Sequence, residues 1–272
     1  LKKGFTLGLN YLYSGTKRTG EDPLSPAYRI PYLQPQRLGS HFAGLSLETI
    51  KLDGKLHVNA FIKRYGYNAT INDLEFTTEY EVIEYKNNLS NWGGGFAGSY
   101  RLSNTFLLKS SLEQATRMPS PTEALGDGVN IENNPFIEPE QSLNVNLGTI
   151  LGRYAIGKHQ GLKIALNAFY RDTKDKLLFT VVDARGSGIL ENVDRISGLG
   201  AEIDVIYDIS QNLRFNMNGT YLDLRNNLEF EADGRANIFY RDRMRNTPYL
   251  LANAGLEYNV SDAIQKDSKI FA

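Results

Sequence analysis

Apolar and polar residues alternate with a period of two along almost the whole chain. Leu56, Val58, Ala60 and Ile62 alternate with Lys55, His57, Asn59 and Lys63, and Leu143, Val145, Leu147 and Leu151 with Ser142, Asn144, Asn146 and Gly148. Leu199, Ala201, Ile203, Val205 and Tyr207 alternate with Gly200, Glu202 and Asp204. The pattern returns from Phe5 to Tyr13, Phe106 to Leu112, Leu162 to Tyr170, Leu213 to Tyr221 and Leu250 to Tyr258. Successive side chains of a strand point to opposite faces, so this spacing predicts strands with one apolar and one polar face. No segment sustains a helical period. About ten long strands result, some interrupted by bulges.

The connections between these strands sort by length. Short turns fall near 52–55, 101–104, 157–159 and 209–211, and longer excursions span roughly 15–40, 66–90, 117–140, 183–190 and 225–246. Alternating tight turns and long loops is the habit of outer-membrane barrels. Sandwiches, with their Greek-key crossovers, need not segregate loops by end. A small soluble barrel would show the same alternation with its apolar face inward. Two features favour lipid outside: the polar face is crowded with charges, and Tyr11, Tyr100, Tyr170, Tyr207, Tyr221 and Tyr258 close the apolar face at its rims. Tyrosine at the border between an apolar band and water is the girdle expected at lipid headgroups. The expected fold class is therefore all-β, an antiparallel transmembrane β-barrel.

Composition narrows the chemistry. The 272 residues carry 30 Lys+Arg against 31 Asp+Glu, a net charge of -1. That balance gives no electrostatic footing for nucleic acid. There is no cysteine, so disulfides, thiol nucleophiles and thiolate metal sites are excluded. No stretch approaches the roughly 18 apolar residues of a spanning helix. No Gly-x-Ser-x-Gly elbow, His-Glu-x-x-His helix, P-loop or Rossmann glycine run occurs. The three histidines, His41, His57 and His159, are isolated from one another in sequence, and His41 with Ser40 and Glu48 makes no convincing catalytic set. No enzyme activity, cofactor or metal is expected. A loop reading Asp127-Gly128-Val129-Asn130-Ile131-Glu132-Asn133 offers oxygens to calcium but lacks EF-hand spacing.

One stretch is specific enough to suggest a family. Ala115-Thr116-Arg117-Met118-Pro119-Ser120-Pro121-Thr122-Glu123 leads to Asn134-Pro135-Phe136-Ile137-Glu138-Pro139-Glu140-Gln141-Ser142 and then Leu147-Gly148. This resembles the barrel of TonB-dependent outer-membrane receptors, where Arg-x-Pro ends an outgoing strand and Asn-Pro-x-Leu-x-Pro-Glu-x-Ser opens the returning one. Ala168 to Asp172 with Leu177-Leu178, Asn192 with Gly200-Ala201-Glu202, and Arg243 to Tyr258 around Pro248 resemble later strands of the same barrel. Two positions depart from the pattern: Ile137 stands where Leu is usual, and Asn146 where Glu is common.

The resemblance implies a barrel of about 22 strands filled by an N-terminal plug, in the outer membrane of a Gram-negative bacterium. Such a receptor binds a small extracellular ligand at the plug apex and outer loops, and takes energy from TonB and its inner-membrane complex through the plug. The ligand is most often an iron–siderophore-type chelate. The strand pattern starts at Phe5 and is cut short at Lys269–Ala272. Residues 1–272 are thus expected to form part of the barrel domain, without the plug and the closing strand. The runner-up is a complete small barrel acting as a passive channel or rim-site enzyme.

Physical reasons support a structural role for the motif. Pro119 and Pro121 remove amide donors where a strand must stop pairing, and Pro135 and Pro139 do so where the chain rejoins the sheet. Arg117, Glu123, Glu138 and Glu140 are expected as a charged ladder on the lumen side of the outer rim, with Asn134 part of the same motif. Ligand contact is expected instead from loops mixing cations and aromatics, which suit an anionic chelate. These are Arg235, Tyr240, Arg241, Arg243 and Arg245, and Tyr28, Arg29, Tyr32 and Arg37. The alternative for such residues is contact with outer-membrane lipid headgroups, or solvation. Gly93-Gly94-Gly95 predicts a bulge or sharp bend in the wall, or a close approach of the plug.

Overall fold

The computed structural model describes residues 4–19, 35–76, 80–127, 130–155, 161–184, 186–193, 195–230, 234–261 and 269–271. Its strands are β1 (Phe5–Arg18), β2 (Gln36–Lys51), β3 (Leu56–Phe76), β4 (Tyr80–Ser103), β5 (Phe106–Arg117), β6 (Ile131–Glu132), β7 (Glu140–Ala155) and β8 (Gly161–Lys174). There follow β9 (Lys176–Val181), β10 (Gly188–Val193), β11 (Ile196–Asp208), β12 (Leu213–Asn226), β13 (Leu250–Ser261) and β14 (Lys269–Phe271). A short helix, α1 (Pro121–Leu125), interrupts the pattern.

The main sheet runs β1-β2-β3-β4-β5-β7-β8-β11-β12-β13-β14, each strand antiparallel to its neighbours. Register shifts occur at Arg101/Ser103 and Leu151/Tyr154. The expected up-and-down order is observed. β6, β10 and β9 form a second, three-stranded sheet.

The sheet curls until Glu48, Asn59, Ser99, Lys109, Ser111, Asn146, Asn167, Glu202, Asn218 and Thr220 line one cavity of about 940 Å³. The polar face is therefore concave. Leu9, Leu147, Leu199 and Leu256 stand on the other side, each more than half exposed. The reversed arrangement of a soluble barrel is excluded by this curvature. Outward tyrosines and the tryptophan gather in two rows, with Phe5, Tyr100, Phe106, Tyr207 and Tyr258 at the short-turn end and Tyr11, Tyr13, Trp92, Tyr170 and Tyr221 at the other. Trp92 and Tyr100 are eight residues apart on β4. That is about 26 Å along a strand, or about 20 Å along the axis of a barrel tilted at 35–45°. An apolar band of this height suits a bilayer.

Above the upper row the polarity of the faces inverts. On β3 the outward positions Leu56, Val58, Ala60 and Ile62 give way to Arg64, Gly66, Asn68 and Thr70. The inward positions change from His57, Asn59 and Lys63 to Tyr65, Tyr67, Ala69 and Ile71, all four buried. β12 does the same, with Asn216, Asn218 and Thr220 inward below, and Leu222 and Leu224 inward above.

Three of the long excursions are consequently shorter or differently built than their sequence suggests. The span 66–90 is chiefly strand, because β3 and β4 stay paired up to Phe76↔Tyr80. The first excursion is trimmed by β1 and β2, which stay paired as far as Arg18↔Gln36. The span 183–190 belongs to a longer connection, 175–195, that carries the β9–β10 hairpin.

Candidate functional site

The connections at the long-loop end fold inward. Met118, Ala124, Leu125, Ile137 and Leu177 pack against Leu38, Tyr65, Tyr67, Ala69 and Ile71 of the inner wall. They roof the polar concave face with a small dry core, and this roof is the candidate site's frame.

Local sequence explains how the roof is tied down. Pro121 starts α1, where a helix has no use for an N–H. The Ser120 hydroxyl accepts from the Glu123 N–H at 3.3 Å, and the Glu123 carboxylate accepts from the Ser120 N–H at 2.7 Å, a reciprocal cap. Arg18, from β1, donates to the Leu125 and Gly126 carbonyls at the far end of the helix. Asn134 donates to the Leu190 carbonyl at 2.7 Å and accepts from the Phe136 N–H at 2.9 Å. Asn87 bridges the Pro135 and Ile137 carbonyls at 3.1 and 3.0 Å. Pro119 and Pro139 are buried, consistent with positions that have no N–H to satisfy.

Charge closes the frame. Arg117 donates to Glu123 at 2.9 Å and to Glu140 at 2.8 Å, while Lys176 donates to Glu140 at 2.9 Å. The Leu177 N–H adds a further bond at 3.0 Å, again to Glu140. Burial works to raise the Glu140 carboxyl, but Arg117, the Leu177 N–H and Lys176 outweigh it and hold the group down at about 2. Glu123 is likewise held below the usual range, its burial outweighed by Arg117 and the Ser120 N–H. The structure thus brings Arg117, Glu123 and Glu140 together at the inner rim. Glu138 is held through its backbone instead, its N–H donating to Asn192 at 2.7 Å. Lys176, Arg18 and the Ser120 cap are partners that the sequence reading missed. Ser-x-x-Glu was the one available signal.

The expected ligand-binding residues do not gather in one place. Tyr28, Arg29 and Tyr32 lie outside the described residues. Arg37 sits on β2, in the row that faces outward. Arg243 bridges to Arg225 on β12 and also faces outward, donating to Asp223 at 2.7 Å and to the Tyr221 hydroxyl at 3.0 Å. Asp223 accepts from Arg225 as well, at 2.8 Å. Arg235 is exposed beside the Phe230–Ala236 bridge. Arg241 stacks over Tyr240 at 5.4 Å and Arg245 over Phe239 at 5.4 Å.

The glycine run is part of the wall. A side chain at Gly93 would stand 2.7 Å from the Gln114 carbonyl and 3.1 Å from the Tyr65 ring. At Gly95 it would meet the Leu112 carbonyl at 2.6 Å and the Phe61 ring at 2.8 Å. The inward rings of β3 lie over the space these residues leave. In the acidic loop, Asp127 accepts from the Asn130 and Ile131 N–H groups at 2.8 Å, which makes it a turn residue. No cluster of metal-ligating side chains occurs among the described residues.

A protein-family model described as TonB dependent receptor-like, beta-barrel matches residues 1–266. The chain belongs to this family. Members of the TonB-dependent receptor family are transporters of the Gram-negative outer membrane, not enzymes. Solved structures share the fold. The hemophore receptor HasR of Serratia marcescens, solved with its hemophore HasA and heme, matches with TM-score 0.63 at 15% identity, over 95% of this chain and 46% of that one. The ferric yersiniabactin uptake receptor FyuA of Yersinia pestis matches with TM-score 0.62 at 15% identity, over 87% and 33%. The copper transporter OprC matches with TM-score 0.63 at 18% identity, over 84% and 34%. The chain thus spans a third to just under half the length of these TonB-dependent structures. No curated protein sequence matches it.

Proposed function

We propose that this chain is part of the barrel of an outer-membrane receptor that imports a scarce ligand, an iron–siderophore-type chelate, with energy from TonB and its inner-membrane complex. The observation that carries the reading is the inward-folded roof over a polar lumen at the long-loop end, in a chain that belongs to the TonB-dependent family. The similar structures include a receptor solved with hemophore and heme, a ferric yersiniabactin receptor and a copper transporter, which supports a metal-bearing cargo. Arg235, Tyr240, Arg241 and Arg245 are the residues proposed to touch the ligand. Arg37 and Arg243 point away from the lumen and are better suited to the membrane surface.

The test is uptake of radio-iron from ferric siderophores by iron-starved cells carrying the intact protein, with and without TonB. Uptake that needs both the protein and TonB is the expected result. Uptake that persists without TonB would mean a passive channel. Replacing Arg235, Tyr240, Arg241 and Arg245 by Ser should abolish uptake while leaving heat-modifiable barrel assembly intact. Unchanged uptake would remove the role assigned to that loop.

A further inference from the structure

The outer wall carries a groove at the level of the upper aromatic row. It has a volume of about 450 Å³ and is lined by outward side chains of β1 to β4, among them Tyr11, His41, Arg64, Asn68, Asn88 and Ser90. Gly66 makes its floor: a side chain there would sit 3.4 Å from the His41 Cβ and occupy the space. Tyr11 and Trp92 flank it, and the apolar band descends below it through Leu9, Leu45 and Ile62.

This groove combines a cation that no carboxylate among the described residues answers with neutral donors around one cavity. Three arginines on the outer side of β8 to β12 have carboxylates: Arg195 pairs with Asp172, and Arg225 and Arg243 share Asp223. Arg64 pairs with no carboxylate among the described residues. Its Nε donates to the Ser90 hydroxyl at 3.3 Å and its guanidinium lies 5.6 Å from the Trp92 ring centroid. These contacts orient the fork while leaving its remaining N–H groups available. His41 is fixed from the other side, its Nδ1 2.8 Å from the Tyr11 hydroxyl and its ring 4.8 Å from that of Tyr13. The amides of Asn68 and Asn88 supply further donors. A planar cation with neutral donors around it, open toward the bilayer, is a receptor for a phosphate group.

We infer that this groove binds the phosphate-bearing headgroup of a lipid of the surrounding leaflet, whose acyl chains lie along Leu9, Leu45 and Ile62. The lateral opening above an apolar band selects an amphiphile over a soluble anion. The inference rests on the outer-membrane placement proposed above.

Titrating bis-phosphorylated lipid A into the detergent-purified intact protein, with native mass spectrometry as readout, tests it. The protein should retain this lipid about tenfold more tightly than its dephosphorylated form. Arg64→Gln, which removes the charge, and Gly66→Val, which fills the floor, should each abolish that preference. Both sites lie outside the apolar band, and heat-modifiability confirms assembly of each variant. Arg225→Gln should leave retention unchanged. Equal retention by the wild type and both groove variants would overturn the site, and displacement by inorganic phosphate alone would overturn the lipid as its occupant. Membrane fractionation reads placement separately. A protein found in the outer membrane that shows no phosphate preference would defeat this inference and leave the proposed function standing.

Discussion

The lower and upper halves of the wall are built from the same strands but obey opposite rules. Between the aromatic rows, β7 turns Val145 and Leu147 outward and Asn144 and Asn146 inward. Above the upper row, β3 buries Tyr67, Ala69 and Ile71 on the inside and shows Asn68 and Thr70 outside. The register is continuous across the boundary, so the change lies in the surroundings. Lipid below demands an apolar exterior and tolerates a wet interior. Above the band the exterior meets headgroups and water, and the inward-folded connections offer apolar shelter on the other side. The upper half is in effect a small soluble domain whose core is the barrel's own mouth.

The largest way to break this comparison is to place one charge on each half. Leu147→Arg, in mid-band, should destabilise the intact protein in liposomes by about 2–4 kcal/mol, whereas Gln141→Arg, above the band on the same strand, should cost no more than about 1 kcal/mol. Denaturant titration of vesicle-reconstituted protein measures both. Equal costs would mean that the band does not stop where the aromatic row stands.

Next in size is the rim network, which belongs to the upper half alone. Glu140 is buried, and its carboxyl is held at about 2 against an ordinary 4.5. A depressed value means that its stabilising contribution is complete above pH 4.5 and is lost as pH falls toward 2. Glu140→Gln should lower stability at neutral pH by about 1–3 kcal/mol, because Arg117, Lys176 and the Leu177 N–H lose a charged acceptor. It should also flatten the acid limb between pH 4.5 and 2. A variant that retains the wild-type acid limb would place that limb on other groups.

The same inversion explains what was legible in the sequence. Strand order, the short turns near 52–55, 101–104 and 209–211 and the girdle tyrosines were readable because lipid enforces one phase over each crossing, while the turn expected at 157–159 lies outside the described residues. The motif from Arg117 to Glu140 was readable as a charged rim, of which Arg117, Glu123 and Glu140 meet while Glu138 is held by its backbone. The continuation of β3 and β4 was not, since Tyr65, Tyr67, Ala69 and Ile71 fall on the opposite parity from Leu56 to Ile62 and break the pattern. The β6-β10-β9 sheet is too short to carry a period. Arg18 and Lys176 reach partners far along the chain, Leu125 and Glu140, that no local spacing announces. The turn of Arg243 toward the outside goes with its bridge to Arg225, 18 residues earlier in the chain.

The smallest effect expected is on the outer face of the upper half. Asp223 accepts from both Arg225 and Arg243, at 2.8 and 2.7 Å, and all three side chains are in reach of solvent. Ion pairs in such surroundings are weakened by water and screened by salt. Asp223→Asn should therefore leave the denaturant midpoint at physiological salt where the wild type has it, with a small loss appearing only at low salt. The contrast with Glu140 would be direct, since both carboxylates serve two cations, one buried on the inner face beside the Leu177 N–H and the other on the outer face in reach of water. A salt-insensitive loss as large as that of Glu140→Gln would show that the outer face above the band is sheltered too, and the division of the wall into two solvents would fail there.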